Sequence, residues 1–266
     1  MPEITLASTD RLFLFGHGLF ETMLITPKGP SFLDLHWQRL ENGAEILSLD
    51  LPPYETVAGA ISDSVRKQGN SPVPYALRLT LSGGSPEHGE QPRLFTGTRP
   101  LPYTSDQYLS GISLQLLPWR KNEYSPLTNA KTVNYSENYL GKKEALRLGC
   151  DEGLWLNSKS YLSEGTMSNL FFIRNGELFT PDLKCGCLPG TRREIVLRLV
   201  STLGLALHEG EFTLEELLQA EEVFMTNALM GIMPVHRLNS TLYKVAAPDD
   251  RRSVTRKLAR AYQELL

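Results

Sequence analysis

Apolar residues follow two kinds of spacing along this chain. Short β-prone runs, which predict strands, occupy residues 19–25, 31–33, 75–81, 93–101, 112–119, 168–173 and 222–226. Apolar residues three or four positions apart, which predict helices, occur from about residue 34, over 53–66, 140–148, 191–200 and 213–219, and from about residue 249 onward. Strands and helices are therefore interspersed throughout the chain.

Glycine, proline and short polar residues separate these segments. Gly16 and Gly18 precede the first strand, on which Phe20 and Glu21 are predicted to lie on opposite faces. Asp34 is the predicted N-cap of the first helix. Residues 85–92 form a loop that is long enough to act as a substrate lid, and residues 100–111 are interpreted as an interdomain linker.

Length, composition and charge limit the class of protein. The chain has 266 residues, of which 41% are hydrophobic and 21% are charged, as expected for a globular protein with one large or two small domains. The formal net charge of −3 and the lack of a Lys/Arg-rich block argue against binding to nucleic acid or to a membrane surface. No apolar run approaches the ~18 residues of a membrane span.

The three cysteines point to a reducing compartment. Cys150, Cys185 and Cys187 have no partner Cys or His at a metal-binding spacing, so no metal site is expected. Reduced thiols in a cytoplasmic enzyme are the simplest interpretation of this odd number of cysteines.

A lysine and a distant glutamate are the candidates for chemistry. Lys131 lies in a loop of small and polar residues between a predicted strand and a predicted helix, where an amine can be held rigidly and partly desolvated as a nucleophile. Glu164 lies in a Glu-Gly-Thr turn before the strand at 168–173. Pyridoxal phosphate (PLP) needs such a pair, because a lysine forms an imine with it and an acid keeps its pyridine nitrogen protonated. Taken alone, either residue could equally be a solvated charge or part of a turn.

Several blocks in a fixed order resemble the fold type IV PLP enzymes, which make up the class IV aminotransferase family. Branched-chain and D-amino-acid aminotransferases and aminodeoxychorismate lyases belong to this family. The blocks cover nearly the whole chain and are Phe15-Gly-His-Gly-Leu-Phe-Glu-Thr22, His36-Trp-Gln-Arg-Leu40, Lys131-Thr-Val-Asn-Tyr135, Ser163-Glu-Gly-Thr-Met-Ser-Asn-Leu-Phe171, Leu188-Pro-Gly-Thr-Arg-Arg193 and Asn227-Ala-Leu-Met230.

The resemblance implies a fold and an assembly. An α/β (α+β) fold of two domains is expected, with a smaller N-terminal α/β domain at residues 1–104 and a larger C-terminal PLP-binding α/β domain at residues 105–266. A homodimer that acts on a small-molecule substrate is also implied.

The resemblance further implies which residues hold the cofactor. Lys131 would bind PLP covalently and then act as the general base. The implied cofactor-binding residues are Arg39, Tyr135, Glu164, Ser168, Asn169, Gly190, Thr191, Arg192, Asn227 and Ala228. Arg39 suits the phosphate and Glu164 the pyridine nitrogen, whereas His36 is expected to be structural. Position 192 departs from the Thr that is common in the family, so there the backbone N–H is the expected phosphate contact.

Two reactions remain open within this family. Aminotransferases and lyases both need a lysine as general base, so Lys131 does not separate them. The block that begins at Asn227 resembles that of the lyases, which convert aminodeoxychorismate to para-aminobenzoate and pyruvate in folate biosynthesis. In addition, Glu87 stands where D-amino-acid enzymes place an arginine for the substrate carboxylate. A lyase is therefore favoured, with a branched-chain or D-amino-acid type aminotransferase as the alternative.

A non-enzymatic member of the family is disfavoured, because Lys131, Arg39 and Glu164 are all present. Arg93, Arg78 and His88 are the predicted substrate-binding residues, since a chorismate-like substrate carries two carboxylates.

Overall fold

The computed structural model describes residues 4–69 and 71–266, which form two compact units. The N-terminal unit extends to Pro102 and also includes Ala130–Tyr135, and the C-terminal unit comprises Tyr103–Asn129 and Ser136–Leu266. The change from one unit to the other lies close to residue 104, the boundary expected from the sequence. However, the segment that carries Lys131 belongs to the N-terminal unit rather than to the expected C-terminal domain.

The N-terminal unit is a four-stranded antiparallel sheet with helices. Its elements are α1 (Arg11–Phe15), β1 (Gly18–Thr26), β2 (Gly29–Pro30), α2 (Leu33–Leu47), α3 (Tyr54–Gln68), β3 (Tyr75–Ser82) and β4 (Leu94–Pro100). The strand order is β2-β1-β3-β4. Alternate residues of β1 and β3, such as Leu19, Met23 and Leu79, form one core with Leu40 and Ile61 of α2 and α3.

This alternation separates the side chains of β1. Glu21 lies on the same face as Leu19 and Met23, beneath the helices, whereas Phe20 points to the other face. The predicted placement of Phe20 and Glu21 on opposite faces is thus confirmed.

The C-terminal unit contains a nine-stranded sheet. Its elements are α4 (Ser105–Ser110), β5 (Ile112–Lys121), α5 (Ser136–Arg147), β6 (Glu152–Asn157), β7 (Leu162–Gly165), β8 (Asn169–Arg174), β9 (Glu177–Pro181), α6 (Thr191–Thr202), β10 (Leu207–Gly210), α7 (Leu214–Leu218), β11 (Glu222–Asn227), β12 (Gly231–Leu238), β13 (Thr241–Leu242) and α8 (Val254–Glu264). The strand order is β10-β9-β8-β11-β12-β5-β6-β7, and β13 pairs with β12. Helix α6 packs against α8, and both contact β11.

The mixture of parallel and antiparallel pairs in this sheet agrees with the expected α/β (α+β) class. β5 is parallel to both β12 and β6, whereas β8 is antiparallel to β9 and β11. No helix within residues 4–69 and 71–266 has both the length and the apolar composition to cross a bilayer.

Two expectations near the start of α2 are wrong. The predicted strand at 31–33 is absent, because the chain turns through β2 and α2 already begins at Leu33. Asp34 is not the N-cap; Phe32 occupies that position with a φ of 56°. Asp34 lies instead in the first helical turn, where a carboxylate interacts favourably with the helix dipole.

Two further boundaries differ from the sequence interpretation. Residues 100–111 are not a plain linker, since they contain α4. The last helix begins at Val254 rather than near residue 249, because Ser253 is its N-cap and the Ser253 hydroxyl accepts a hydrogen bond from the Arg256 N–H (3.1 Å).

Candidate functional site

The Lys131 loop is fixed by backbone hydrogen bonds to β1. The Phe20 N–H donates to the Lys131 carbonyl (2.9 Å) and the Val133 N–H donates to the Gly18 carbonyl (3.0 Å). Leu19 and Thr132 form an antiparallel bridge between these bonds. The Lys131 backbone therefore has the rigid position that was expected of it, although β1 rather than a preceding strand holds it.

Aromatic rings surround the Lys131 amine. Its Nζ lies 4.3 Å from the ring centroid of Phe20 and 5.6 Å from that of Tyr135. The two rings meet edge to face at 5.2 Å, and the Arg78 guanidinium carbon lies 3.7 Å from the Phe20 centroid. Two cations thus lie within cation–π distance of one aromatic ring. The structure brings together the predicted residues Lys131, Tyr135 and Arg78, and adds Phe20.

Arg39 lies in a buried ion-pair network on the helix-covered face of the sheet. Its Nε and Nη2 donate to the two oxygens of Glu21 (2.8 and 2.6 Å), and His36 Nδ1 lies 2.6 Å from Glu21 Oε2. Burial raises the pKa of Glu21, but the opposing charges of Arg39 and then His36 prevail and lower it to about 2. His36 has the structural position expected of it, while phosphate binding by Arg39 stays a prediction.

The other two predicted substrate residues lie at the surface of the N-terminal unit. Arg93 is exposed and its Nη1 donates to the Thr5 carbonyl (3.0 Å). His88 is also exposed and ends a short 3-10 turn, Pro86–His88. Ser85 and Glu90 pair across the base of that turn, so the loop at 85–92 is compact. A substrate or lid role for this region stays a prediction.

Glu164 is a buried carboxylate in the C-terminal unit, at the end of β7. Its Oε2 accepts hydrogen bonds from the Leu188 N–H (2.8 Å) and from Asn169 Nδ2 (3.3 Å), and its Oε1 forms an ion pair with Lys121. The Asn169 amide also donates to the Leu188 carbonyl (2.9 Å). These contacts fix the carboxylate beside the loop that leads into α6.

Lys121 is a second residue, after Phe20, that the sequence interpretation missed. It is the last residue of β5, and its side chain is only 12% exposed. A charged residue at the end of a largely apolar strand was the available signal, but many strands end in solvated lysines. Its partner is 43 residues away in the chain, so the pairing depends on how β5, β6 and β7 are arranged.

Lys142 and its neighbour Lys143 have different environments. Lys143 is exposed, as is usual for a lysine on a charged helix. Lys142, however, donates to the Asp151 carbonyl and lies 3.6 Å from the buried Glu152 carboxylate. It therefore supports the start of β6 rather than pointing into water.

The N-terminus of α6 has the features of an anion site. The helix begins at Thr191, as predicted, after the N-cap Gly190, which has no side chain to cap it. The first hydrogen bond to Gly190 is donated by Glu194, so the N–H groups of Thr191 and Arg192 precede the intrahelical ladder. A Cβ on Gly190 would lie 1.9 Å from Asn169 Oδ1, which is why only glycine allows this close approach.

A second turn, Asn227–Met230, follows β11. Asn227 Oδ1 accepts hydrogen bonds from the Leu229 and Met230 N–H groups (both 2.9 Å). Asn227 Nδ2 donates to the Tyr103 hydroxyl (3.0 Å) and the Met167 carbonyl (3.1 Å). One side chain thus fixes the shape of the turn.

The residues of the C-terminal unit fit a polar cofactor. Ser168 Oγ and Thr226 Oγ1 are buried and have no hydrogen-bond partner among the residues that the structure describes. Thr226 is paired with Asn169 across β11 and β8, and Ser168 precedes Asn169 in the chain. Buried hydroxyl groups seldom remain without a partner, so these two suit a ligand that supplies polar atoms beside Glu164 and the start of α6.

Comparisons with known proteins point in the same direction. Residues 18–238 match the family model described as amino-transferase class IV. The aminodeoxychorismate lyase of Bacillus subtilis (strain 168) is 28% identical over 253 residues, which are 91% of this chain and 84% of that protein.

Solved structures of both reaction types share the fold. The 4-amino-4-deoxychorismate lyase of Pseudomonas aeruginosa superposes with a TM-score of 0.87 at 28% identity, covering 99% of this chain and 96% of that one. The branched-chain aminotransferase of Escherichia coli also gives a TM-score of 0.87, at 26% identity, with 98% and 89% of the two chains covered.

Proposed function

The chain belongs to the class IV aminotransferase family of PLP-dependent enzymes, and on that premise we propose that it is a 4-amino-4-deoxychorismate lyase. Such an enzyme converts aminodeoxychorismate to para-aminobenzoate and pyruvate, which would place the protein in folate biosynthesis. Similarity to a lyase at 28% identity over 91% of the chain supports the proposal.

The observation that carries the choice of a lyase is the Asn227–Met230 turn. By resemblance, aminotransferases have small hydroxyl residues and a Glu in this block. Here the Asn227 amide makes four hydrogen bonds, to Leu229, Met230, Tyr103 and Met167. A hydroxyl group cannot make the same four bonds, so the lyase-type asparagine is integral to this turn.

In this proposal the named residues have defined roles. When bound, PLP supplies an aldehyde for the substrate amine and a ring that accepts electrons. The Lys131 amine holds the cofactor and then takes the proton from C4 of the substrate, the carbon that carries the amine. The bond between C3 and the ether oxygen would then break, so that enolpyruvate leaves with the electron pair, takes up a proton and becomes pyruvate, while the substrate ring becomes aromatic. Glu164 keeps a proton at the pyridine nitrogen, and the N–H groups of Thr191 and Arg192 bind the phosphate.

Aminotransfer is the alternative for the same residues. Lys131 would then move the proton of the amine-bearing carbon of an amino acid. With PLP as the acceptor of the amine and water as the co-reactant, the product would be a 2-oxo acid. Likeness to the Escherichia coli branched-chain aminotransferase favours this alternative. Arg78 is compatible with either reaction, because a guanidinium near Lys131 can bind a carboxylate of both kinds of substrate.

The test is to supply both kinds of substrate to the purified holoenzyme. Aminodeoxychorismate should give para-aminobenzoate and pyruvate in equal amounts, and Lys131→Ala should give neither. Branched-chain and D-amino acids with 2-oxoglutarate are assayed in parallel. Transamination without para-aminobenzoate would establish the alternative, and a protein that binds no PLP would contradict both.

We also propose a cytoplasmic homodimer, as the family resemblance implies. The cysteines Cys150, Cys185 and Cys187 are free and buried, which is compatible with a reducing compartment. Light scattering of the purified holoenzyme should give twice the 29.8 kDa mass of the chain; a monomer would contradict the proposal.

A further inference from the structure

Position 192 carries a buried arginine whose side chain connects three elements of the C-terminal unit. The Arg192 side chain is only 1% exposed. Its Nε donates to the Tyr262 hydroxyl in α8 (2.9 Å), and its Nη2 donates to the Ala228 carbonyl in the turn after β11 (2.9 Å). A buried guanidinium is costly unless its donors are satisfied, so these contacts require an ordered arrangement of α6, α8 and the turn.

Tyr262 holds the same turn from its other end. Gly231 has a φ of 62°, and a Cβ there would lie 2.5 Å from Cε1 of the Tyr262 ring. The ring therefore packs directly on the backbone of Gly231, while Arg192 holds the carbonyl of Ala228. Burial raises the pKa of Tyr262, and the Arg192 charge opposes this rise, so the hydroxyl stays neutral and available as an acceptor.

These contacts connect two backbone segments that are both proposed to bind the cofactor. One is the start of α6, with the N–H groups of Thr191 and Arg192, and the other is the turn that contains Ala228. Both belong to the proposed PLP site, so the inference rests on the proposed function. We propose that Arg192 and Tyr262 are positioning residues that fix the spacing of these two segments and thereby increase the affinity for the cofactor phosphate. The Arg192 side chain itself then does not bind the phosphate.

The proposal is tested by comparing a ligand that has the phosphate with one that lacks it. The cofactor is removed from the holoenzyme, and the affinities for PLP and for pyridoxal are measured by titration. Tyr262→Phe keeps the ring on Gly231 but removes the hydroxyl that accepts a hydrogen bond from Arg192. Arg192→Lys removes the guanidinium that donates to both the Tyr262 hydroxyl and the Ala228 carbonyl. Both variants should bind PLP about tenfold more weakly, as loss of one hydrogen bond to a charged group implies. Their affinity for pyridoxal should be unchanged.

Arg193→Lys is the matched control. Arg193 is buried on the same helical turn, but it donates to the Pro181 carbonyl in β9 (3.1 Å) and to Glu209 in β10 (2.6 Å). It should lower the melting temperature without a selective loss of PLP affinity.

Three outcomes would overturn the proposal. Normal PLP affinity in Tyr262→Phe together with a loss in Arg192→Lys would mean that the arginine binds the phosphate directly. Equal losses for PLP and pyridoxal in both variants would indicate general damage to the fold. Unchanged PLP affinity in both variants would show that the contacts have no effect on the phosphate. None of these outcomes depends on whether para-aminobenzoate is formed, so the reaction and the positioning role are tested separately.

Discussion

Glu21→Gln should destabilise the N-terminal unit and remove the part of its acid sensitivity that arises from this carboxylate. Glu21 is 1% exposed, and its carboxylate accepts hydrogen bonds from Nε and Nη2 of Arg39. His36 Nδ1 also lies against this carboxylate. A glutamine keeps the shape but provides one acceptor oxygen and no charge, so the buried Arg39 guanidinium loses its counterion. Breaking one side of a buried ion pair typically destabilises a protein by about 3–5 kcal/mol.

The pH dependence has a definite direction. The folded-state pKa of Glu21 is lowered from an ordinary value of 4.5 to about 2. Each pKa unit corresponds to ~1.4 kcal/mol, so the ionised carboxylate contributes roughly 3 kcal/mol to stability. Because the folded-state pKa is the lower one, this contribution is complete above about pH 4.5 and is lost as the pH falls towards 2. Glu21→Gln should lack this part of the acid dependence.

The assay is urea unfolding followed at the N-terminal unit alone. The chain has three tryptophans, and only Trp37 lies in this unit, 5.2 Å from Tyr54. Fluorotryptophan labelling and ¹⁹F NMR therefore report on α2 separately. Asp63→Asn, which removes an exposed ion pair with Arg66 in α3, is the matched control and should change stability by less than ~0.5 kcal/mol. Equal pH dependence in wild type and Glu21→Gln between pH 4.5 and 2 would refute the reasoning.

Three further predictions concern the proposed cofactor residues. Borohydride reduction of the holoenzyme followed by peptide mapping should place the label on Lys131; a label on Lys142 or Lys143 would refute the site. Glu164→Gln should retain the cofactor but lose most of kcat per mole of bound PLP, because the charge that holds the pyridine proton is gone; normal kcat with a lower melting temperature would make Glu164 structural. Arg39→Ala should weaken PLP binding by about 2–3 kcal/mol relative to pyridoxal, and equal losses for the two ligands would confine Arg39 to stabilising the fold.

The parts of the fold that the sequence predicts are those with local causes. The start of α6 follows from Gly190 and the apolar period after it, and the two faces of β1 follow from strand alternation. The N-cap of α2 is not predicted correctly, because it is Phe32 with a positive φ. Phenylalanine usually avoids that conformation, so the sequence gives no indication of it.

The pairings within the candidate site have distant causes. Lys121 and Glu164 are 43 residues apart, and Arg192 and Tyr262 are 70 residues apart. From the sequence alone, a charged residue at the end of a strand or on a helix is interpreted as solvent-exposed, because its distant ion-pair or hydrogen-bond partner is not known. The contact between Arg39 and Glu21 has a distant cause as well, since it depends on α2 packing over β1.

Position 192 illustrates how a departure from a family pattern constrains other positions. A threonine there needs no distant acceptor, whereas a buried guanidinium needs several. In this chain the Tyr262 hydroxyl and the Ala228 carbonyl provide them, and the glycine at 231 leaves room for the tyrosine ring. Changing Arg192 alone would leave the Tyr262 hydroxyl buried without its donor, and changing Gly231 alone would displace the ring. Substitutions at these three positions are therefore expected to have coupled, non-additive effects on stability.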